Sequence, residues 1–166
     1  RSLSNLKKFF LFSTDEYYGH APDGIAYKEW DRPNPTNPYS ASKAGGEMLG
    51  IAYANTYGLP VIITNCMNVF GERQRIKDAR LGVLGFFIGL ALQNKKIILY
   101  DGKQIRDVNY VEDVADAFIL AAENISKTGG KIFNIGGEKT SLLEFVEKIG
   151  KFVNADKYAL NDKIKD

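Results

Sequence analysis

The sequence predicts an α/β fold. Short apolar runs of strand length alternate with stretches of helical periodicity, and Gly, Pro or Asn punctuates most of the joins. Residues 9–13, Phe-Phe-Leu-Phe-Ser, are a continuous apolar run ended by polar residues, the pattern of a strand buried on both faces of a parallel sheet. Thr14, Asp15 and Glu16 then fall at its C-terminal end, the edge where open α/β sheets bind ligands. A loop over residues 19–37 carries Pro22, Pro33 and Pro35. Asn37 as N-cap and Pro38 at the first helical position open a helix to Tyr57, stopped by Gly58. Met48, Leu49, Ala52 and Tyr53 give that helix its apolar stripe, and Gly45-Gly46 permits close approach of a backbone or a ligand.

Residues 60–66 predict a second buried strand and Met67–Arg80 a polar loop. A helix over Gly82–Gln93, a short strand over Lys96–Tyr100 and a turn at Asp101-Gly102 follow. Ile105–Tyr110 is a strand, Val111–Glu123 an Ala-rich helix, and Lys131–Ile135 a strand closed by Gly136-Gly137. Ser141 and Glu144 form a capping box for a last helix to about Val153, with Leu142, Phe145, Val146 and Ile149 on one side.

Bulk properties exclude several functions. A length of 166 residues, 45% hydrophobic and 25% charged, is one globular domain's worth. The net charge of +2 gives no broad basis for binding nucleic acid or a membrane surface. The longest apolar run, Leu81–Leu92, is interrupted by Gly82, Gly85 and Gly89, so no transmembrane segment is expected. Cys66 is the only cysteine and His20 the only histidine. That leaves too few ligands for a zinc site and no GxSxG element to accompany a serine triad. The lone cysteine fits a reducing compartment, the cytoplasm, and Arg1–Lys8 lacks the pattern of a signal peptide.

The chemistry-bearing residues are Thr14, Asp15, Glu16, Tyr39 and Lys43. Tyr39 and Lys43, four residues apart at a helix start, share one face. An ammonium beside a phenol favours the phenolate, which can take a proton from a substrate hydroxyl near neutral pH. Taken alone, the pair could equally be surface decoration on an ordinary helix, and Asp15-Glu16 an acidic pair starting a turn. A strand end and the start of the following helix share one edge of a parallel sheet, so the five residues can meet. As a set they suit alcohol oxidation by a nicotinamide, with Thr14 sharing the proton transfer. Asp15 and Glu16 then suit acid–base elimination beside the new ketone.

Five motifs in order carry a family resemblance. Phe12-Ser13-Thr14-Asp15-Glu16-Tyr17-Tyr18-Gly19 followed by Asn37-Pro38-Tyr39-Ser40-Ala41-Ser42-Lys43 resembles the extended short-chain dehydrogenase/reductases of the NAD-dependent epimerase/dehydratase family, which act on nucleotide sugars. The Thr-Asp-Glu triplet resembles the dTDP-glucose 4,6-dehydratases among them. Asn65–Gln74, Asp101–Val108 and Phe133–Gly137 resemble the family's later motifs. The resemblance implies the C-terminal half of a Rossmann-like, doubly wound parallel sheet with part of a small substrate-binding domain. It implies NAD as cofactor, held in part by Tyr39 and Lys43, and a nucleotide-diphosphate sugar as substrate. Tyr39 would be the base, Lys43 its tuner and Thr14 its assistant, while Glu16 would take the C5 proton and Asp15 protonate the leaving C6 hydroxyl. Asn68, Gln74 and Arg106 would bind substrate, the arginine gripping the diphosphate through its bidentate fork. A homodimer through helices beside the Tyr/Lys helix is implied by the same analogy.

The chain departs from the family at Asn65, where an arginine is usual. It also holds no GxxGxxG or GxGxxG turn. The expectation is therefore that residues 1–166 are a partial epimerase/dehydratase domain, with catalytic and substrate-binding segments but without the N-terminal cofactor-binding half. Such a fragment alone is expected to be inactive. A 4-epimerase or decarboxylase of the same family, and a non-catalytic binding or structural remnant, remain as alternatives.

Overall fold

The computed structural model describes residues 5–22, 24–78, 82–153 and the backbone of 158–160. The Arg1–Ser4 part of the N-terminus, Ala79–Leu81 of the loop before the second long helix, and the polar end Asn161–Asp166 lie outside the described residues. The chain forms two compact units, residues 1–67 with 112–136 and residues 68–111 with 137–166.

The first unit is built on a parallel sheet of order β1-β2-β6: β1 is Phe9–Thr14, β2 Val61–Cys66 and β6 Lys131–Ile135. The register aligns Thr14 with Cys66 and Cys66 with Ile135, so the three strands end together at one edge. A 3-10 helix, Asp15–Tyr18, follows β1 directly. Helix α1, Pro38–Tyr57, covers β1 and β2. It starts at a capping box in which Ser40 N donates to Asn37 Oδ1 and Asn37 N to Ser40 Oγ, with Pro38 in the first turn. It ends at Gly58, whose φ of 64° is a left-handed conformation that glycine adopts without steric cost.

β2 is buried along its length, and Ile62 is 0% exposed; each such aliphatic side chain contributes about 1.5–3 kcal/mol by leaving water. β1 differs from the doubly buried strand its sequence predicts, since Phe9 and Phe12 are about half exposed. The reason is position: β1 is an outer strand of the three, and Phe12 packs against Phe118 of α3 (Val111–Glu123), the ring centroids 4.8 Å apart.

Two expectations for α1 are also corrected. The stripe Met48, Leu49, Ala52 and Tyr53 faces outward, whereas Ser40, Ala44 and Glu47 are buried. Small and polar residues are chosen for this face because α1 lies close on the sheet. Nor is Gly45-Gly46 the point of closest approach: no atom stands within 4 Å of a Cβ built at Gly45, and Leu11 is 4.0 Å from one at Gly46. Gly50 fills that role, for a Cβ there would meet Leu11 and Ile63 at 3.3 Å.

In the second unit, β3 (Val69–Phe70) pairs in parallel with β5 (Ile105–Tyr110), and β7 (Glu138–Ser141) runs antiparallel to β5. Strand β4 (Ile97–Leu99) pairs with β8 (Tyr158–Leu160). Helices α2 (Val83–Leu92) and α5 (Leu142–Val153) enclose a core of Leu84, Phe87, Ile97, Leu99, Leu142, Phe145 and Val146. The Asp101-Gly102 turn has positive φ at both residues, 47° and 69°. The capping box is present: Ser141 N donates to Glu144 Oε2 at 2.8 Å and Glu144 N to Ser141 Oγ at 3.1 Å. Strands β3, β7 and β8 and the short helix α4 (Ile125–Thr128) have no counterpart in the elements predicted from sequence.

Candidate active site

Thr14 is both the last residue of β1 and the N-cap of the 3-10 helix, where its Oγ1 accepts from Glu16 N at 3.4 Å. The same hydroxyl donates to Asp15 Oδ1 at 3.3 Å. Tyr17 and Tyr18 at the other end of this short helix are buried, which leaves Glu16 exposed and Asp15 half-buried on the opposite side. Burial, reinforced by the Glu47 carboxyl, pushes the Tyr17 phenol up to about 12, so it is an anchor rather than a proton carrier.

Helix α1 brings in the other groups. Asn37 caps the helix through Oδ1 and donates from Nδ2 to Glu16 Oε2 at 2.8 Å. The helix start and the acidic triplet are thereby tied together through one side chain. Tyr39 is 53% exposed, and its phenol lies near enough to the Thr14 side chain to be influenced by it. Lys43 Nζ donates to the carbonyl of Phe12 at 2.9 Å and lies 5.9 Å from the centroid of the Tyr39 ring. Thr14, Asp15, Glu16, Tyr39 and Lys43 therefore belong to one unit and one sheet edge.

The electrostatics correct one expectation. Partial burial holds the Tyr39 phenol above its ordinary value, and the Glu16 and Asp15 carboxylates push the same way against the Thr14 hydrogen bond. Lys43 does not lower it, because the ammonium sits over the ring and on a backbone carbonyl while the phenol oxygen faces hydroxyl and carboxylates.

The three expected substrate-binding residues lie in the second unit. Asn68 Nδ2 donates to the carbonyl of Asp107 at 3.0 Å. Gln74 Nε2 donates to the carbonyl of Val69 at 3.4 Å, and its side chain packs on Gly85. Arg106 is held along its own strand, Nη1 donating to Ile105 O at 3.0 Å and Nη2 to Gln104 Oε1 at 3.1 Å.

A buried polar network behind the site was not anticipated. Ser13 Oγ donates to Glu47 Oε1, Asn65 Nδ2 donates to Asn134 Oδ1 at 3.2 Å, and Tyr18 Oη donates to the same oxygen at 2.9 Å. Asn134 N in turn donates to Glu29 Oε1 at 3.0 Å. One signal for it was available: Glu47 continues the four-residue spacing of Tyr39 and Lys43 along α1.

Chemically, the arrangement offers a phenol and a hydroxyl at one sheet edge, two carboxylates near them, and an ammonium on the same helix face. The NAD dependent epimerase/dehydratase family model matches residues 2–136. Similar curated proteins include a trifunctional UDP-glucose 4,6-dehydratase/3,5-epimerase/reductase of Arabidopsis thaliana, 39% identical over 91% of this chain and 22% of that protein. The dTDP-glucose 4,6-dehydratase of Haemophilus influenzae is 40% identical over 86% of this chain and 41% of its own length. Among solved structures, the dTDP-glucose 4,6-dehydratase of Bacillus anthracis in complex with NAD superposes with a TM-score of 0.82 at 32% identity, covering 94% of this chain and 50% of that one. A UDP-N-acetylglucosamine 4-epimerase of Methanobrevibacter ruminantium gives 0.84 at 31% identity, covering 98% and 52%. The chain thus spans about half the length of these structures and less than half of the curated relatives. The ordered motifs, the parallel sheet with its Rossmann-type relatives and the family match lead to one conclusion: the chain belongs to the NAD dependent epimerase/dehydratase family.

Proposed function

We propose that this chain carries the catalytic and substrate-binding portion of a nucleotide-sugar 4,6-dehydratase of the type that converts dTDP-glucose to dTDP-4-keto-6-deoxyglucose. The observation that supports it is that the Asp15 and Glu16 carboxylates both act on the Tyr39 phenol, with the Thr14 hydroxyl bonded to Asp15 beside it. An oxidation alone needs the tyrosine and the threonine; elimination of water needs an additional base and acid.

In this reading Tyr39 takes the C4 hydroxyl proton while Thr14 holds that oxygen. Glu16, steadied by Asn37, removes the C5 proton, and Asp15 protonates the departing C6 hydroxyl. NAD would supply the acceptor and later the donor of the hydride. The residues present fit its nicotinamide end: Lys43 has three donors, of which one is given to Phe12, and it shares a helix face with the half-exposed Tyr39. The raised phenol suits this assignment, because the positive charge of an oxidised nicotinamide would offset the field of the two carboxylates. Asn68, Gln74 and Arg106 would hold the nucleotide diphosphate.

The partial length and the absence of a dinucleotide-binding glycine turn from the sequence support reading the chain as part of a longer enzyme, and the lone cysteine fits a reducing, cytoplasmic setting. No described helix is long and apolar enough to cross a membrane. The outward stripe of Leu49, Tyr53 and Tyr57 on α1 supports a homodimer through that helix.

The test is incubation of the complete enzyme carrying this chain with NAD and, separately, dTDP-glucose and UDP-glucose. Loss of one water's mass is the expected product, and Asp15→Asn and Glu16→Gln should each reduce it by about 10²–10⁴-fold. Water loss undiminished in both variants would overturn the role assignment. A second reading, 4-epimerisation, is favoured by the structural likeness to the M. ruminantium enzyme, and an inverted C4 with unchanged mass would select it.

A further inference from the structure

We infer that Asn134 is a positioning residue for the acidic pair Asp15 and Glu16: it holds the 3-10 helix that carries them through Tyr18, and pins the loop behind them through Tyr27 and Glu29. That the pair performs an elimination rests on the proposed function; the connection through Asn134 does not.

The 3-10 helix is a single turn, Asp15–Tyr18, with Thr14 as N-cap and a closing bond from Gly19 N to Glu16 O at 3.2 Å. So short a helix has little stability of its own and takes its direction from what holds its two ends. β1 fixes the first end, since Thr14 is its last residue. At the second end Tyr18 is 1% exposed, and its hydroxyl donates to Asn134 Oδ1 at 2.9 Å. Asn65 Nδ2 joins the two from β2, at 3.2 Å from Asn134 Oδ1 and 3.4 Å from Tyr18 Oη. In one tight turn, any rotation that displaces the Tyr18 hydroxyl displaces the Asp15 and Glu16 carboxyls with it.

Asn134 also holds the chain that leaves this helix. It lies in β6, an outer strand of its sheet, and its backbone N–H donates not to a strand but to Glu29 Oε1 at 3.0 Å. Its Nδ2 donates to the carbonyl of Tyr27 at 3.4 Å. The Tyr27 ring in turn stacks on Tyr18, with centroids 5.2 Å apart and planes 19° from parallel. The same loop ends at Asn37, whose Nδ2 donates to Glu16 Oε2 at 2.8 Å. One asparagine therefore engages both the helix of the acidic pair and the middle of the loop whose far end bonds Glu16. The Tyr39/Lys43 pair is held separately: it stands on α1, and Lys43 Nζ reaches the Phe12 carbonyl of β1. Loosening Asn134 should accordingly disturb the acid and base of the elimination more than the oxidising pair.

Two variants break the link from either side, Tyr18→Phe and Asn134→Ala, and the first keeps the stacked ring if the second does not fold. In the 166-residue chain, amide hydrogen exchange should quicken by about tenfold over Asp15–Gly19 and Tyr27–Asp31, while β2 and α1 keep their protection. Unchanged exchange in those two segments overturns the proposal. So does an equal rise in β2 and α1 in both variants, which would make Asn134 a residue of general stability. In the complete enzyme with NAD and, separately, dTDP-glucose and UDP-glucose, single-turnover absorbance reports sugar oxidation and mass spectrometry reports water loss. The variants should slow water loss by about 10–10²-fold and oxidation by less than about twofold. Equal slowing of the two steps overturns the proposal. If the wild-type enzyme eliminates no water, the proposed function fails, and the exchange measurement still decides whether Asn134 holds the segment.

Discussion

Tyr39 shows how a single residue's chemistry depends on which neighbours reach its reactive atom. Its spacing from Lys43 suggested a lowered phenol, and the folded chain gives a raised one, because the oxygen sees Glu16 and Asp15 while the ammonium sees the ring face. Removing one negative neighbour should therefore lower the Tyr39 titration. Glu16→Gln is expected to do so when phenolate absorbance is followed against pH, with Tyr39→Phe identifying the transition. Glu47 offers a second residue-scale test. Its carboxyl ionises at 4.5 when exposed and higher when folded, so above that pH the folded state retains a proton that the unfolded state has released. Stability then falls as pH rises from the ordinary carboxylate range up through the folded value. Urea unfolding of the wild type and of Glu47→Gln should show the wild type losing ground to the variant over that window. A difference that stays constant with pH would contradict it. Cys66 illustrates the bland case: burial pushes its thiol up, which disfavours the reactive thiolate.

At the scale of elements, capping was the most legible feature. Asn37-Pro38 and Ser141 with Glu144 mark helix starts in sequence and make the expected hydrogen bonds in the structure. This works because a cap satisfies its own neighbours' backbone and needs no distant partner. Ser141→Ala should destabilise the chain by about 1 kcal/mol in urea titration, since the Glu144 amide loses its acceptor. The facing of α1 was not legible. Its apolar stripe and its glycine pair both pointed to the wrong surface, because burial there follows from how closely Gly50 lets the helix approach Leu11 and Ile63. Replacing Gly50 by valine should cost about 1–3 kcal/mol, as the added carbons enter contacts already at 3.3 Å. Thermal unfolding measures it. Short strands such as Val69–Phe70 were missed because two residues carry too little periodicity to register.

For the molecule as a whole, the exposed face of α1 sets the prediction. Leu49, Tyr53 and Tyr57 are each at least half exposed on one helix surface. If they form the proposed dimer interface, Leu49→Arg should convert a dimer to a monomer in sedimentation experiments while leaving the circular dichroism spectrum unchanged. The residues that identify the family are close together in sequence or lie at strand ends. Thr14-Asp15-Glu16 and the Tyr39/Lys43 pair could be placed on one edge by topology alone, since a parallel strand and the helix after it must share that edge. Fold class, the caps and the placement of these five residues at one sheet edge were accordingly readable from the chain. The upward shift of the Glu47 carboxyl and the direction of the Tyr39 shift were not, and neither was the outward turn of the α1 stripe. Each depends on distances between segments far apart in sequence, such as Ser13 to Glu47 and Asn65 to Asn134, and desolvation and hydrogen bonding are set by those distances alone.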